Sequence, residues 1–451
     1  MRHPRLIFLS LALVAACSST SSPAGDSGLC KPANPCTINY WTEQTAPQYQ
    51  AAFKPMVAAF NTAHPGINVV VRFVSTDIRA ALREGFSSGK PPEMFDQEGY
   101  TDVFDYVAKK RLLDVTDWMN KPGNGDRFAK STLPSVTYDG KVYGIPELVL
   151  AANQIWYNKK ILAANGIDPA QLKSGNNWND YLAAFEKLKS AGITPLAYGA
   201  SDGFIGPEWC FSFFGKLAGG NHMMQLAAGN CGYKWTDPVS VQAAQMYVDL
   251  NDKGYFSKGA AGRDWNASNS EFLSGKAAFY FMGTWFDPNV LGASNVNDFG
   301  LLTFPNVPGG KGGQETQLIA PQGFALTVAA ADPAKKAAAL SFIDFVDNAK
   351  SQEILNKGAG ELSAVTDANT PASLNPFSQV VSTEQLAPAT QPYTFLEHAT
   401  TIKTGEDTLW KGSIGVLTGQ KNAQSWMESV QQADDSTKGQ NSFKVAPQCS
   451  G

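Results

Sequence analysis

The stretch FLSGKAAFYFMGTW, residues 272–285, decides the fold. Its centre, KAAFYFM, lacks the alternation of a strand with one wet face, so it reads as a strand buried on both sides, as the middle of an α/β sheet is. Gly283-Thr284-Trp285 then stands where that strand ends. In open α/β sheets ligands bind beyond the carboxyl ends of the strands, which makes Trp285 a candidate ligand contact.

Working outward, the same alternation of elements recurs. TINYW (37–41) reads as a short strand, PQYQAAFKPMVAAFNTA (47–63) places Phe53, Met56, Val57 and Phe60 at helical spacing, and INVVVRFV (67–74) is a second strand. Asp77 should cap the helix that follows, which leads through Pro91-Pro92 to the strand EMFDQ and a further helix. The expected architecture is α/β with parallel, doubly wound sheets. Asp237-Pro238 and Asp332-Pro333 each set a carboxylate before a proline at the first helical position, so long helices should open there.

The first residues stand apart. MRHPR followed by an apolar run from Leu6 to Ala16 has the form of a secretory signal. The run is about half of the roughly 20 residues a membrane-spanning helix needs. Val14-Ala15-Ala16-Cys17 resembles a lipobox, so residues 1–16 are expected to be removed and Cys17 to carry a lipid. From Ser18 to Gly28 serine, proline and glycine dominate, and residues 17–29 are read as a flexible tether.

Five cysteines remain beyond Cys17, in a compartment where disulfides persist. Cys210 is expected to pair with Cys231 and Cys30 with Cys36, Cys449 being the competing partner for the latter two. His3, His64, His222 and His398 have no ligand spacing and no CxxC occurs, so neither a metal nor another cofactor is expected.

The chain has 36 basic and 40 acidic residues; without Arg2 and Arg5 the balance is 34 to 40, a net charge of −6, which disfavours nucleic acid as a partner. Only 17% of residues are charged while 10 Trp, 14 Tyr and 26 Phe are present, a composition suited to a neutral polar ligand. Roughly 420 residues beyond the signal exceed what one core supports, so two lobes are expected.

Three strand ends offer an indole or a hydrogen-bonding side chain: Trp41 with Glu43, Gln97 with Glu98, and Trp285. An indole can take the apolar face of a sugar ring while amides and carboxylates take its hydroxyls. At this point the chain resembles, over essentially its whole mature length, the extracellular solute-binding proteins of carbohydrate ABC transporters, the group that contains maltose-binding protein. The stretches that carry the resemblance include INYWT (38–42), SSGKPPEMF (87–95), YDGKVYGIP (138–146), IWYNKKILAANGIDP (155–169), YKWTDPVSVQAA (233–244) and FLSGKAAFYFMGTW.

The resemblance implies two hinge-linked lobes with a ligand cleft between them: residues 30–146 and 299–350 in the first, 147–298 and 351–451 in the second. It implies a monomeric sugar receptor and not an enzyme, held to the membrane by its lipid alone and partnered by an ABC permease. By position, Trp285 would be the aromatic platform, Trp41, Glu43, Gln97 and Glu98 first-lobe contacts, Asp202, Trp209 and Trp265 second-lobe contacts, and Gln322-Gly323 the glycine-containing return to the cleft. Glu147 and Asn153 are further candidates near the crossover.

A different class competes. Gly199-Ala200-Ser201-Asp202-Gly203 matches the G-x-S-x-G elbow of α/β-hydrolases and follows a plausible strand, which would make Ser201 a nucleophile with His398 as the available base. No HGGG-type oxyanion loop accompanies it. Glu98, Asp202 and Glu208 would suit a glycosidase only if one faced another across a sugar.

Overall fold

The computed structural model describes residues 30–75, 77–440, 443 and 449. The signal, Cys17 and the tether lie outside them.

The first lobe is built as the periodicity requires. Strand β1 (Cys36–Thr42), helix α1 (Pro47–Ala63) and strand β2 (Ile67–Phe73) form a βαβ unit with the two strands parallel. Tyr49, Phe53, Met56, Val57 and Phe60 are the buried face of α1, and Phe53 and Phe60 meet Phe342 edge-on. Helix α2 (Ile78–Ser87) starts at Asp77, whose carboxylate accepts from the Arg79 N–H at 2.8 Å. Strand β3 (Met94–Gln97) follows, then a short hairpin of β4 (Thr137–Tyr138) and β5 (Lys141–Val142).

Two long strands cross between lobes. Strand β6 (Ile145–Ala151) lies in the first sheet and β7 (Gln154–Asn158) in the second. The second sheet adds β8 (Thr194–Ala197), β9 (Ala277–Phe281) and β10 (Phe299–Thr303), and β11 (Ile319–Leu326) closes the first. The orders are β2-β1-β3-β11-β6 and β10-β7-β9-β8. Neither sheet is wholly parallel, contrary to expectation: β11 runs antiparallel to β3 and β6, and β7 antiparallel to β9 and β10. A chain that leaves one lobe and returns beside its own exit must run antiparallel to it.

The lobe boundaries shift accordingly. The first lobe runs through Ala151 rather than Pro146, Phe299–Thr303 pairs with β7 and so belongs to the second lobe, and the chain rejoins the first sheet only at Ile319. Helix Ala349–Ala359 and Ala364, Val365 and Ala368 pack in the first-lobe core, so the third crossing follows residue 368 rather than 350. Phe377 beyond it packs on Trp156 of the second lobe at 4.9 Å.

Buried amides hold the crossings together. Asn153 donates to Gln317 Oε1 at 3.2 Å, and Gln154 to Gln385 Oε1 at 3.0 Å. The crossing segments thus bond to one another through side-chain amides where water is excluded.

The expected β9 is buried at every position. Asp332 caps Pro333–Val346 with bonds from the Ala334 and Lys335 N–H groups; Pro238–Asp252 begins where Asp237-Pro238 placed it, without a side-chain cap bond. The cysteines correct one expectation. Cys30 is joined to Cys36, but Cys231 is joined to Cys449, with Cα atoms 5.7 Å apart, and Cys210 is a free thiol. Cys210 lies inside the buried helix Ile205–Ala218 next to Trp209, 2% exposed, facing the core instead of the surface turn that carries Cys231.

Candidate functional site

The first lobe's contribution starts with a buried carboxylate. Asp96 on β3 accepts from the Tyr40 hydroxyl, the Thr42 hydroxyl at 2.6 Å and the Glu43 N–H at 3.0 Å. These bonds tie the exit of β1 to that of β3 and fix where Glu43 emerges. Burial pushes Asp96 up to about 6, the three donors pulling against it.

Glu43 Oε1 accepts from Gln322 Nε2 at 2.7 Å, and the Gln44 amide bonds Gln322 Oε1. Burial and then the neighbouring Glu98 push the Glu43 carboxyl well above the usual range, and the two side chains share a hydrogen bond. Glu43 therefore keeps its proton and donates it to Glu98. Glu98 is driven the other way: burial raises it, but His398, Arg79 and the bond from Glu43 outweigh that and hold it at about 2.

Glu98 is also where the lobes meet. Its Oε2 lies 2.6 Å from Arg79 Nη2 and 3.1 Å from His398 Nδ1, and Arg79 Nη2 lies 2.9 Å from His398 Nε2. Arg79 and Glu98 come from the first lobe; His398 comes from the Leu396–His398 turn, packed in the second. Glu406 completes the cluster at 3.8 Å from Arg79 Nε. A cavity of about 60 Å³ opens beside it, lined by Arg79, Glu397, His398 and Glu406 among others.

The second lobe contributes rings. Trp285 follows β9 and lies across Gly283, where a Cβ would come within 2.2 Å of the indole. Only glycine lets the ring lie flat there. Trp285 is half-buried, donates Nε1–H toward Met282 Sδ at 3.0 Å, and meets Phe204 and Phe395 at 6.5 and 6.0 Å between centroids. Phe395 in turn packs on His398 at 5.3 Å, which joins the aromatic wall to the polar cluster.

The remaining sequence candidates fall elsewhere. Trp41 lies under the Arg72 guanidinium at 4.5 Å and against Gly85 of α2, so it packs a helix on the sheet. Gln97 turns back into the first lobe, accepting from the Gly99 N–H at 2.5 Å. Trp209 is 1% exposed, stacked on Phe281 at 4.2 Å, and is core. Gly323 serves its own sheet: a Cβ there would lie 2.0 Å from the Ile145 carbonyl, at the β-bulge between β11 and β6. Asp202 accepts from the Trp265 N–H at 2.7 Å, so these two residues brace the start of the helix Trp265–Leu273. Glu147 is buried in the first lobe beside Tyr49, and Asn153 is in the hinge.

Arg79, Phe204, Phe395, Glu397, His398 and Glu406 were not singled out as ligand contacts. Arg79 could have been found, since a helix that follows a parallel strand begins at the carboxyl edge of the sheet. Phe395 to Glu406 lie in a stretch without periodicity and gave no signal.

Ser201 is not in an elbow. It is exposed with a bond from its N–H to the Arg263 carbonyl, it is not among the described residues with positive φ, and the next helix starts only at Ile205. His398, its only available base, is engaged by Arg79 and Glu98. The hydrolase reading is not supported.

The family model of the bacterial extracellular solute-binding proteins matches residues 46–353, which contain two of the three crossings and every strand of the two sheets except β1. The chain belongs to this family. It is a family of receptors rather than enzymes. An uncharacterized ABC transporter extracellular-binding protein of Pyrococcus horikoshii is 28% identical over 261 residues, 57% of this chain and 58% of that protein. A probable sugar-binding periplasmic protein of Rhizobium meliloti is 27% identical over 245 residues, 52% of this chain and 55% of that protein. This solute-binding protein thus aligns with somewhat more than half the length of these relatives. Its fold matches that of a chitin oligosaccharide binding protein with a TM-score of 0.80 at 25% identity, covering 89% of this chain and 98% of the other.

Proposed function

We propose that this solute-binding protein is a lipid-anchored, extracytoplasmic receptor that captures a mono- or oligosaccharide by hinge closure and delivers it to an ABC permease, as a monomer. The observation that carries the reading is that the aromatic run of Trp285, lying flat on Gly283, and Phe395 reaches His398, which meets the first lobe's Glu98 and Arg79. An aromatic face and a ring of directional polar groups are what a sugar's two kinds of surface need. The crossings suit closure, because a ligand touching both walls gains contacts only when they approach. Relatives named for sugar binding support the ligand class. Among the described residues no helix is long and apolar enough to cross a membrane; Cys17 is the proposed anchor.

The test is a titration of the purified protein with mono- and disaccharides, followed by intrinsic Trp fluorescence and melting temperature. One or a few sugars should shift both signals at micromolar concentration, about −8 kcal/mol. Trp285→Ala should remove the shift. A protein that responds to no saccharide would not be the receptor described.

A further inference from the structure

Four cations line the cavity between the lobes. Arg79 and Arg83, one turn apart on α2, reach it together with Lys109 and Arg111 from the end of the helix Thr101–Ala108. That helix closes on Lys110, held at a φ of 55°, with the Lys110 N–H bonded to the Val107 carbonyl and the Arg111 N–H to that of Tyr106. The left-handed residue folds the chain back on its own helix, which brings Lys109 and Arg111 to one cavity. In the sequence the four are scattered, and only the packing of the two helices gathers them.

Two of these cations are answered by acids and two are not. Arg79 is bonded to Glu98 and lies 3.8 Å from Glu406, and Arg83 lies 3.3 Å from Asp77. Among the described residues neither Lys109 nor Arg111 forms an ion pair; Arg111 lies over the Phe86 ring at 4.7 Å, and Phe86 packs on Tyr106 of the cavity wall. The carbonyl end of the helix Thr101–Ala108 offers about half a negative charge, less than the two cations bring. Asp105 lines the same cavity one turn before Lys109 without forming an ion pair with it. Glu397, on the second lobe's side, is 5% exposed with its Oε2 lacking a hydrogen-bond partner among the described residues. Burial lifts it to about 8, so at neutral pH it holds a proton and is a donor rather than a further negative charge. Four cations thus face two ionised acids, Asp105 and Glu406.

We infer that this cavity is a subsite for one oxyanion group, a carboxylate or a sulfate, and hence that the saccharide captured between the lobes is an acidic one. The inference rests on the receptor reading and narrows its ligand class, away from the neutral ligand that composition suggests. An oxyanion accepts charge-assisted bonds from a guanidinium and an ammonium at once, whereas a hydroxyl brings no charge to either. The volume of about 60 Å³ holds about four waters, room for a single head group. His398 lines the cavity and packs on Phe395, which joins the subsite to the aromatic run of Trp285. An anion held there touches both lobes and so favours their approach.

The experiment is calorimetry of the purified protein with uronic acids and their parent neutral sugars in the glucose, galactose and mannose series, as mono- and disaccharides, and with sodium sulfate alone. In at least one pair the acid should bind at least about tenfold more tightly than the neutral sugar at neutral pH. That preference should shrink as salt is raised, and sulfate should compete with the acid. Lys109→Gln and Arg111→Gln should each reduce the preference and together bring it under about threefold, while Arg111→Lys, which keeps the charge, should retain more of it. The melting temperature of each variant reports that it is folded, and Lys109→Gln, at an exposed position, serves if Arg111→Gln is not. Neutral sugars binding as tightly as the acids in every pair, or a preference that survives the double substitution, would overturn the inference and leave the receptor reading standing. Sulfate bound through Lys109 and Arg111 with no preference among the sugars would make a free anion the occupant and overturn the acidic saccharide. No response to any saccharide would remove the receptor reading and this inference with it.

Discussion

The two lobes bring different materials to the place where they meet at His398 and Glu98. The first lobe presents Glu43, Glu98, Gln322 and Arg79, each held by side-chain hydrogen bonds, whereas the second presents Trp285, Phe204 and Phe395, placed by packing. Directional groups need a fixed backbone, which Asp96 supplies by tying β1 to β3. Rings need room, which Gly283 supplies. The difference teaches that chemical type alone does not place a side chain: Trp285 and Trp209 lie in the same lobe, yet Trp209 is enclosed in the core while Trp285 is only half-buried.

That contrast between indoles can be broken most forcefully at Trp209. Trp209→Ala should cost about 3–5 kcal/mol of unfolding free energy in a denaturant titration, because its ring is enclosed by Phe281, Phe213 and Trp178. An unchanged midpoint would show that Trp209 is not core.

Protonation sharpens the contrast between rim and interior. Glu361 in the first lobe is 1% exposed, and burial lifts it from 4.5 to about 8. The unfolded chain loses that proton above its ordinary value while the folded chain keeps it, so the native state binds more protons and stability falls as pH rises from 4.5 to about 8. Glu98 at the rim, held at about 2, has the opposite sign: its stabilisation is present above 4.5 and is lost as pH falls toward 2. The melting temperature should therefore be highest near about pH 5 and decline toward 8, and Glu361→Gln should recover on the order of 2 kcal/mol at the alkaline end. A flat profile in both proteins would remove the distinction.

Trp285→Ala should act on binding instead, losing about 1 kcal/mol or more of saccharide affinity by calorimetry with a much smaller change in unfolding free energy than Trp209→Ala. Equal effects of the two substitutions on folding would erase the difference between platform and core. The smallest effect is expected at Arg83, whose pair with Asp77 is 45% and 49% exposed: Arg83→Ala should change stability by less than about 0.5 kcal/mol. A larger change would mean that the outer rim carries more than screened charge.

The elements were legible where local pattern suffices. The unit 36–73 and the caps at Asp77 and Asp332 follow from short-range spacing and hydrogen bonding, and β9 from an unbroken apolar run. The position of Trp285 just after β9 was legible because a strand's end is visible in sequence. Trp41 and Trp209 misled for the same reason, since the face on which a side chain leaves its element depends on what packs there. Cys210 looked like a partner for Cys231 by closeness in the chain, yet the bond spans 218 residues to Cys449.

By itself the sequence determined the α/β alternation, the helix starts and the polarity and aromatic content that suit a sugar, since these depend on neighbours a few residues apart. Only the tertiary structure decided where the chain crosses between sheets, which indole is enclosed in the core, and that Arg79, Glu98 and His398 meet, because contacts between residues 79 and 398 form only when the two lobes are packed together.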